Sequence, residues 1–337
     1  MTLVTRHARP VIAAALVLTL FNLLVFAAGE APWRALVTGL EGSLGTAYGL
    51  GQVLYKATSL AIAGAAFQVA YRAGLFNVGI EGQIALAALA AGVVGARLGW
   101  APAWIAVPVA GGAAVGVAAG WAALAGWLRV RFGAHEVITT ILQNRLADAL
   151  LPLALAHGLG ETGVRTRDVA ASAAIPRLSV LSHALAGSAA SFAVLLALVT
   201  PWLIDRWERR AKVGREVGLV GLGPEACRAA GVPVSSRLLV ALTLSGAVAG
   251  LTACGAVLGY KGHYELGMTT GVGFAGIAVG LLGRGTPLGL LAAALLVGAL
   301  QQTGLVLNAT VPKEATDVLF GAVILAVATT GRREVTR

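Results

Sequence analysis

The spacing of its apolar runs limits this chain more than any other feature. Stretches nearly free of charge recur along its length, each closed by a short segment holding Arg, Lys, Gly or Pro. About 20 apolar residues wound as a helix match the hydrocarbon thickness of a bilayer. Ten runs meet that description, at 10–28, 51–71, 82–98, 102–128, 137–156, 185–204, 238–258, 270–283, 287–307 and 315–330. Lipid offers no partner to backbone N–H and C=O groups, so the runs are expected as helices. The expected fold class is all-α: a polytopic membrane protein with about ten transmembrane helices, some short or broken, forming one domain over residues 1–337. The eighth run is short and rich in glycine (Gly271, Gly273, Gly276, Gly280, Gly283), so a break is expected there.

Composition excludes a soluble globule. Hydrophobic residues make up 58% of the chain, charged residues 12%, and the mean hydropathy is +0.83. Ordinary chains are about half apolar and a quarter charged. The net charge of +10 could suggest a nucleic-acid partner, but the charges gather in a few loops, which points to topology instead. No nucleic acid is expected as a partner. With the N-terminus inside, Arg6, Arg9, Arg72, Arg129, Arg131, Arg206, Arg209, Arg210, Lys212, Arg215, Arg228, Arg237, Arg284, Arg332, Arg333 and Arg337 fall on the cytoplasmic side. Arg34, Arg97, Arg165, Arg167, Arg177, Lys261 and Lys313 fall outside. That bias predicts an even number of spans with both termini cytoplasmic. Arg6 and Arg9 before an apolar run resemble a signal peptide, but the run is longer than a typical signal core. An uncleaved first helix is expected.

Two connections are long. The outer one, 157–184, carries Gly158, Gly160, Gly163 and Pro176; the inner one, 205–237, is basic at first and then glycine-rich. Within the inner one, Pro224-Glu225-Ala226 reads as a helix start, with Pro in the first turn and Glu near the positive dipole end. Gly231 reads as the stop. A helix of about seven residues does not persist alone in water, so this one needs a packing partner.

Enzyme chemistry finds no support. His7, His135, His157, His183 and His263 are scattered, Cys227 and Cys254 lie in unlike settings, and no phosphate-cradling Gly-Lys-Ser/Thr loop is present. Polar residues at membrane depth are the informative ones. Asn77, Glu81 and Gln83 lie in a glycine-flanked break between two apolar runs. Such groups are costly unless they face a cavity, a partner side chain or freed backbone. They read either as the wall of a translocation path or, for Asn77, as a helix cap. In the fifth run, Asn144, Arg145 and Asp148 lie near the middle of a helix, and Arg145 and Asp148 are three apart, so they can pair on one face. A neutralised pair buried against other helices is the first expectation; Asn144 or Arg145 on a substrate path is the second. Phe274, in the glycine-rich run, is a candidate gate or stacking surface for a ring-shaped ligand.

Four blocks in order, Gly74 to Gln83, His135 to Asn144, Gly218 to Gly231 and Phe274 to Gly289, resemble the permease subunits of bacterial ABC importers for nucleosides and simple sugars. Those are relatives of the ribose and branched-chain amino-acid permeases. The outer segment Ala174-Ile175-Pro176-Arg177-Leu178 is similar to the longer of two permease paralogues in nucleoside systems. The resemblance implies a multi-pass subunit of the bacterial inner (plasma) membrane, paired with a second permease paralogue. It implies an ATPase subunit that holds ATP and Mg, an extracytoplasmic substrate-binding lipoprotein, and no cofactor on this chain. It also implies that Gly218, Gly221, Pro224, Glu225, Ala226 and Gly231 belong to the segment coupling to the ATPase, with Asn77, Glu81, Gln83, Asn144 and Phe274 on the substrate path. Two rivals stay open. An ion-coupled secondary transporter needs embedded carboxylates, for which Glu81 and Asp148 are the candidates; an ABC permease for branched-chain amino acids fits the same architecture.

Overall fold

The computed structural model describes residues 4–161 and 163–330, with the backbone alone for 4–14 and 327–330. Arg332, Arg333 and Arg337, on which the expected orientation partly rests, lie outside the described residues, and Arg6 and Arg9 are described by backbone only. Among the described residues the chain is all-helical, with no named strand. Its α-helices are α1 (Val4–Ala27), α2 (Pro32–Leu40), α3 (Ala47–Arg72), α4 (Ile80–Gly95), α5 (Ala103–Phe132), α6 (Glu136–Ala154), α7 (Val194–Arg210), α8 (Lys212–Leu222), α9 (Pro224–Ala229), α10 (Val234–Gly250), α11 (Val272–Leu282), α12 (Pro287–Leu307) and α13 (Lys313–Thr330). Four helices are long and apolar enough to cross a bilayer: α3, α5, α10 with its continuation to Lys261, and α12. The pair α1 and α2, bent by 106°, makes a fifth if it is one span.

Helix α3 is the axis of the molecule. Leu60 and Phe67 share one face and Ile62 and Val69 the opposite one, yet all are buried, as on a helix apolar on every side. Its neighbours α10, α11, α12 and α7 surround it. One core joins α3 residues to Ile80, Ile84, Val279, Leu290 and Val297; a second lies between α4, α5, α6 and the outer segment, around Ala87, Ala110, Leu151 and Tyr264. Small residues set the crossing of α5 and α10. Ala106, Ala110, Ala114, Ala118 and Ala122 form an i+4 stripe on α5, and a Cβ on Gly246 of α10 would stand 2.4 Å from the Cβ of Ala122. Close backbone approach through small residues is how helices associate where lipid removes the hydrophobic driving force.

Two expectations need correction. The inner connection is not a loop over 205–237: α7 runs on to Arg210, and α8 fills Lys212–Leu222 before the short α9. The sixth apolar run does not begin its helix at 185. Residues 186–193, after a 3-10 turn at His183–Leu185, are irregular because their backbone groups pair elsewhere, Leu178 N donating to Ala190 O at 2.9 Å and Phe192 N to Pro176 O at 3.0 Å. The segment between the first two runs also holds structure that hydropathy did not signal: α2 and a π-helical turn, Glu41–Gly45, where Thr303 Oγ1 donates to Ser43 Oγ at 2.9 Å.

The outer connection is a strap. Thr166 N donates to Tyr264 O, Val169 N to Gly262 O, Ala170 N to Gly95 O and Ile175 N to Leu258 O. Backbone bonds to α4 and to the end of the α10 continuation give it a fixed course, with only short 3-10 turns at Ala171–Ala173, Leu178–Val180 and His183–Leu185.

Candidate functional site

The break between α3 and α4 is where the blocks Gly74 to Gln83 and His135 to Asn144 meet the start of α11. Helix α3 stops at Arg72 and α4 starts at Ile80, leaving backbone groups of 73–79 to find partners. Asn77 Oδ1 accepts from Gly79 N at 3.0 Å in a turn just before α4; the N-cap itself is Gly79, so the expected Asn77 cap falls two residues short of the helix. The Asn77 amide also pairs reciprocally with that of Gln83 (3.1 and 3.2 Å) and donates to Ser245 Oγ at 2.8 Å. Ser245 Oγ in turn donates to Ala66 O at 2.7 Å. One chain of polar groups thereby ties α4 to α10 and α3, and Asn77, Gln83 and Ser245 are fully buried. In low dielectric such a network is strong when complete.

Asn144 of α6 clasps the same break from the other side. Its Oδ1 accepts from Gly82 N and its Nδ2 donates to Val78 O, both at 3.0 Å. At the base of α6, Glu136 is buried and lies 3.1 Å from Arg129 Nη1, while His135 Nδ1 accepts from Val137 N at 3.3 Å as the cap.

Glu81 turns toward α11. Its carboxylate accepts from Gly271 N at 2.5 Å, Gly273 N at 2.7 Å and Phe274 N at 3.4 Å, closing the unsatisfied first turn of that helix where the dipole favours an anion. Gly273 has no alternative here, because a Cβ on it would stand 2.4 Å from Glu81 N. Phe274 follows and leaves its ring exposed. Of the five residues singled out for a path, Phe274 is exposed and Glu81 half-buried, while Asn77, Gln83 and Asn144 are buried and hold the helix entries in place. Arg145 and Asp148 do pair, at 3.5 Å, but the expected burial is absent: their side chains are 81% and 62% exposed on the outward face of α6.

The coupling candidates lie at one end, beside a cavity of about 1060 Å³ lined by Gln68, Arg72, Asp205, Glu208, Arg209, Arg215, Gly218 and Arg284, among others. Gly221 presses α8 onto the end of α3, where an added Cβ would sit 2.1 Å from Arg72 O; Gly218 faces open space. Pro224 opens α9 as expected, Glu225 pairs with Arg228, and Gly231 ends it at φ +76°. The Arg228 guanidinium holds the Glu225 carboxyl below its ordinary range. Ala226 and Cys227 lie against Leu219, Leu222 and Val232 in a shallow apolar groove, and Leu222 is 88% exposed.

Sequence reading missed Arg72. Its guanidinium donates to Gly285 O at 2.9 Å and lies 3.5 Å from Glu208, joining α3, α7 and the turn between α11 and α12. The only signal was a basic residue at the end of a helix. Ser245 gave none, since a lone serine in an apolar helix usually bonds its own backbone. Among the described residues no group of three His, Cys, Asp or Glu side chains is placed to hold a metal ion.

Residues 49–328 match the profile of the family described as branched-chain amino acid transport system / permease component. The chain is 33% identical over 293 residues to the guanosine ABC transporter permease protein NupP of Bacillus subtilis (strain 168), covering 86% of this chain and 83% of that one. It is 31% identical over 301 residues to the glucose ABC transporter permease protein TsgB13 of Haloferax volcanii, covering 85% and 78%. It is 29% identical over 303 residues to the nucleoside ABC transporter permease protein NupB of Lactococcus lactis subsp. cremoris, covering 85% and 80%. No solved structure matches it significantly.

Proposed function

The chain belongs to the branched-chain amino acid transport system / permease component family, and from that premise we propose that it is one membrane subunit of an ATP-driven importer for nucleosides or simple sugars. The names of its relatives support the substrate class, and they favour an ABC permease over an ion-coupled carrier. In this reading α1, α3, α4, α5, α6, α7, α10, α11, α12 and α13 are the ten spans, both termini are cytoplasmic, and the membrane is the bacterial inner one. Arg72, Arg209, Arg215 and Arg284, which line the large cavity, then share the cytoplasmic end with α8 and α9.

The carrying observation is the α8–α9 hairpin. It exposes Leu219, Leu222 and Glu225 to the outside, yet Gly221 seats it without a gap on the end of α3. A surface that is apolar outward and rigid inward suits a lever gripped by another protein. An ATPase subunit holding ATP and Mg grips it in our reading. A second permease paralogue completes the path, and an extracytoplasmic binding lipoprotein delivers the substrate. Nucleotide binding then shifts the balance between inward- and outward-open states, with Glu81 and Phe274 at the edge of the path and Asn77, Gln83 and Asn144 shaping it.

The test is uptake by proteoliposomes holding the assembled importer. Guanosine or glucose accumulation that requires internal ATP and stops with vanadate is expected. Accumulation by this chain alone on a proton or sodium gradient overturns the proposal.

A further inference from the structure

The large cavity beside α8 is lined by four arginines, Arg72, Arg209, Arg215 and Arg284, against two acids, Asp205 and Glu208. Three of the arginines already have partners. Arg72 lies 3.5 Å from Glu208, and Arg209 Nε donates to both Asp205 oxygens at 2.8 and 2.9 Å. Arg215 Nη1 donates to Arg209 O and Arg210 O at the end of α7. Both acids are thereby matched. Arg284 is exposed, and among the described residues its side chain makes no hydrogen bond or ion pair. Its backbone stands at φ +51°, the one residue other than glycine in the left-handed region among those described. Glycine takes that conformation freely, and other residues take it at a cost. An arginine held there, next to Gly285 at φ +68°, fixes the root of a free guanidinium at the cavity wall.

The rim of the cavity shows what kind of partner fits. Leu219 and Leu222 line both this cavity and the shallow apolar groove along α9, and they are 51% and 88% exposed. The two recesses share one lip, so whatever grips the hairpin over that groove also lies across the cavity mouth. A neutral sugar or nucleoside leaves the surplus positive charge unmatched. A free phosphate matches the charge but leaves the leucines in water. A protein that carries carboxylates satisfies both at once, with apolar surface over the lip and anions directed at the arginines within.

We propose that the cavity is a socket, and that an Asp- or Glu-bearing segment of the ATPase subunit enters it to pair with Arg284. The unused donors of Arg209 and Arg215 extend the positive surface around that pair. The permease is then held at two places: its hairpin is gripped from outside, and its cavity receives a projection of the partner. Arg72 ties α3 and α7 to the Gly285 turn beside Arg284, so movement of the segment bears directly on the ends of those helices. The inference rests on the importer reading given above and adds a second contact to it.

The test uses the complete importer in nanodiscs, with the photoreactive residue p-benzoylphenylalanine in place of Arg284. Irradiation is expected to join this chain to the ATPase subunit, at a peptide bearing Asp or Glu. A product with lipid or with the second permease, or no product, overturns the inference. Arg284→Gly keeps the left-handed turn without strain, so its effects are those of the lost guanidinium. It is expected to speed dissociation of the ATPase subunit from the complete importer about tenfold, as one charge-assisted bond is lost. Arg284→Glu is expected to speed it further, and Arg284→Lys to fall between Arg284→Gly and wild type. Dissociation at the wild-type rate for both Arg284→Gly and Arg284→Glu also overturns the inference. Wild-type uptake that needs no ATP refutes the importer reading and the socket with it; ATP-driven uptake without the crosslink removes the socket alone.

Discussion

Glu81 Oε2 accepts a hydrogen bond from Gly273 N at 2.7 Å, across 192 residues of chain. The contact fixes where α11 begins relative to α4, and places the Phe274 ring at the edge of both. Replacing Glu81 by Ala leaves the first turn of α11 without its anion and is expected to destabilise the detergent-solubilised complex by about 2–3 kcal/mol. Glu81→Gln retains one acceptor and is expected to cost about half as much, since charge-assisted bonds are roughly twice as strong as neutral ones. Thermal unfolding followed by size-exclusion chromatography separates the two. Equal midpoints for wild type and Glu81→Ala reject a capping role.

Ser245→Ala removes the acceptor of one Asn77 N–H and the donor to Ala66 O inside the core. A buried donor left unpaired costs about 1–3 kcal/mol. Lower membrane abundance and a lower unfolding midpoint are expected, with the substrate preference of the remaining protein unchanged. A shift in preference at unchanged midpoint counts against a purely supporting network.

Gly221→Ala and Gly218→Ala form a matched pair on one short helix. The first places a Cβ 2.1 Å from Arg72 O, and the second places one in open space. Gly221→Ala is expected to lift α8 from α3 and lower transport at least tenfold while ATP hydrolysis persists. Gly218→Ala is expected to transport within about twofold of wild type, because the added methyl enters open space and substitutions without a clash usually change stability by under ~0.5 kcal/mol. Transport and ATPase assays on equal amounts of assembled complex check both.

Glu225 is 84% exposed, and its partner Arg228 lies on the same short helix. Glu225→Lys therefore leaves folding nearly intact and reverses a charge on the outward surface of the hairpin. Normal insertion with ATP hydrolysis uncoupled from uptake is expected. Unchanged uptake at equal membrane abundance removes α9 from the coupling mechanism.

Arg72 joins the ends of α3 and α7 and the Gly285 turn at the mouth of the large cavity. Arg72→Gln keeps a donor for Gly285 O but gives up the ion pair with Glu208. In an importer working by alternating access, this is expected to favour the state open toward the cavity and raise basal ATP hydrolysis a few-fold. ATPase rates without substrate measure it; a basal rate equal to wild type shows that the ion pair does not bias the two states.

Local order was legible in the sequence wherever a local rule governs it. Apolar runs gave the positions of the long helices, because a bilayer-length stretch without charge has few other conformations open to it. Pro224 and Gly231 marked α9, because a fixed φ suits the first turn and a left-handed residue ends the last. Asn77 was legible only as a polar turn residue: its short amide reaches the N–H of Gly79 two residues on, and Gly79 rather than Asn77 stands at the N-cap of α4. The irregular course of 186–193 was not legible. Its alanines score as apolar, while its conformation is set by backbone bonds to residues 176–178.

The sequence by itself determined that the chain is helical, which residues enter apolar stretches, and that Asn77, Glu81, Gln83, Asn144, Arg145 and Asp148 need partners. Only the tertiary structure decided who those partners are. Asn77 found Ser245 on α10, Asn144 found the backbone at Gly82, and Glu81 found the start of α11, at separations of 168, 62 and 190 residues. Arg145 and Asp148 found only each other and stayed on the surface. The reason is physical: hydropathy and helical period describe a residue and its turn, whereas satisfaction of a buried polar group depends on which helices cross, and that is set by packing over the whole bundle.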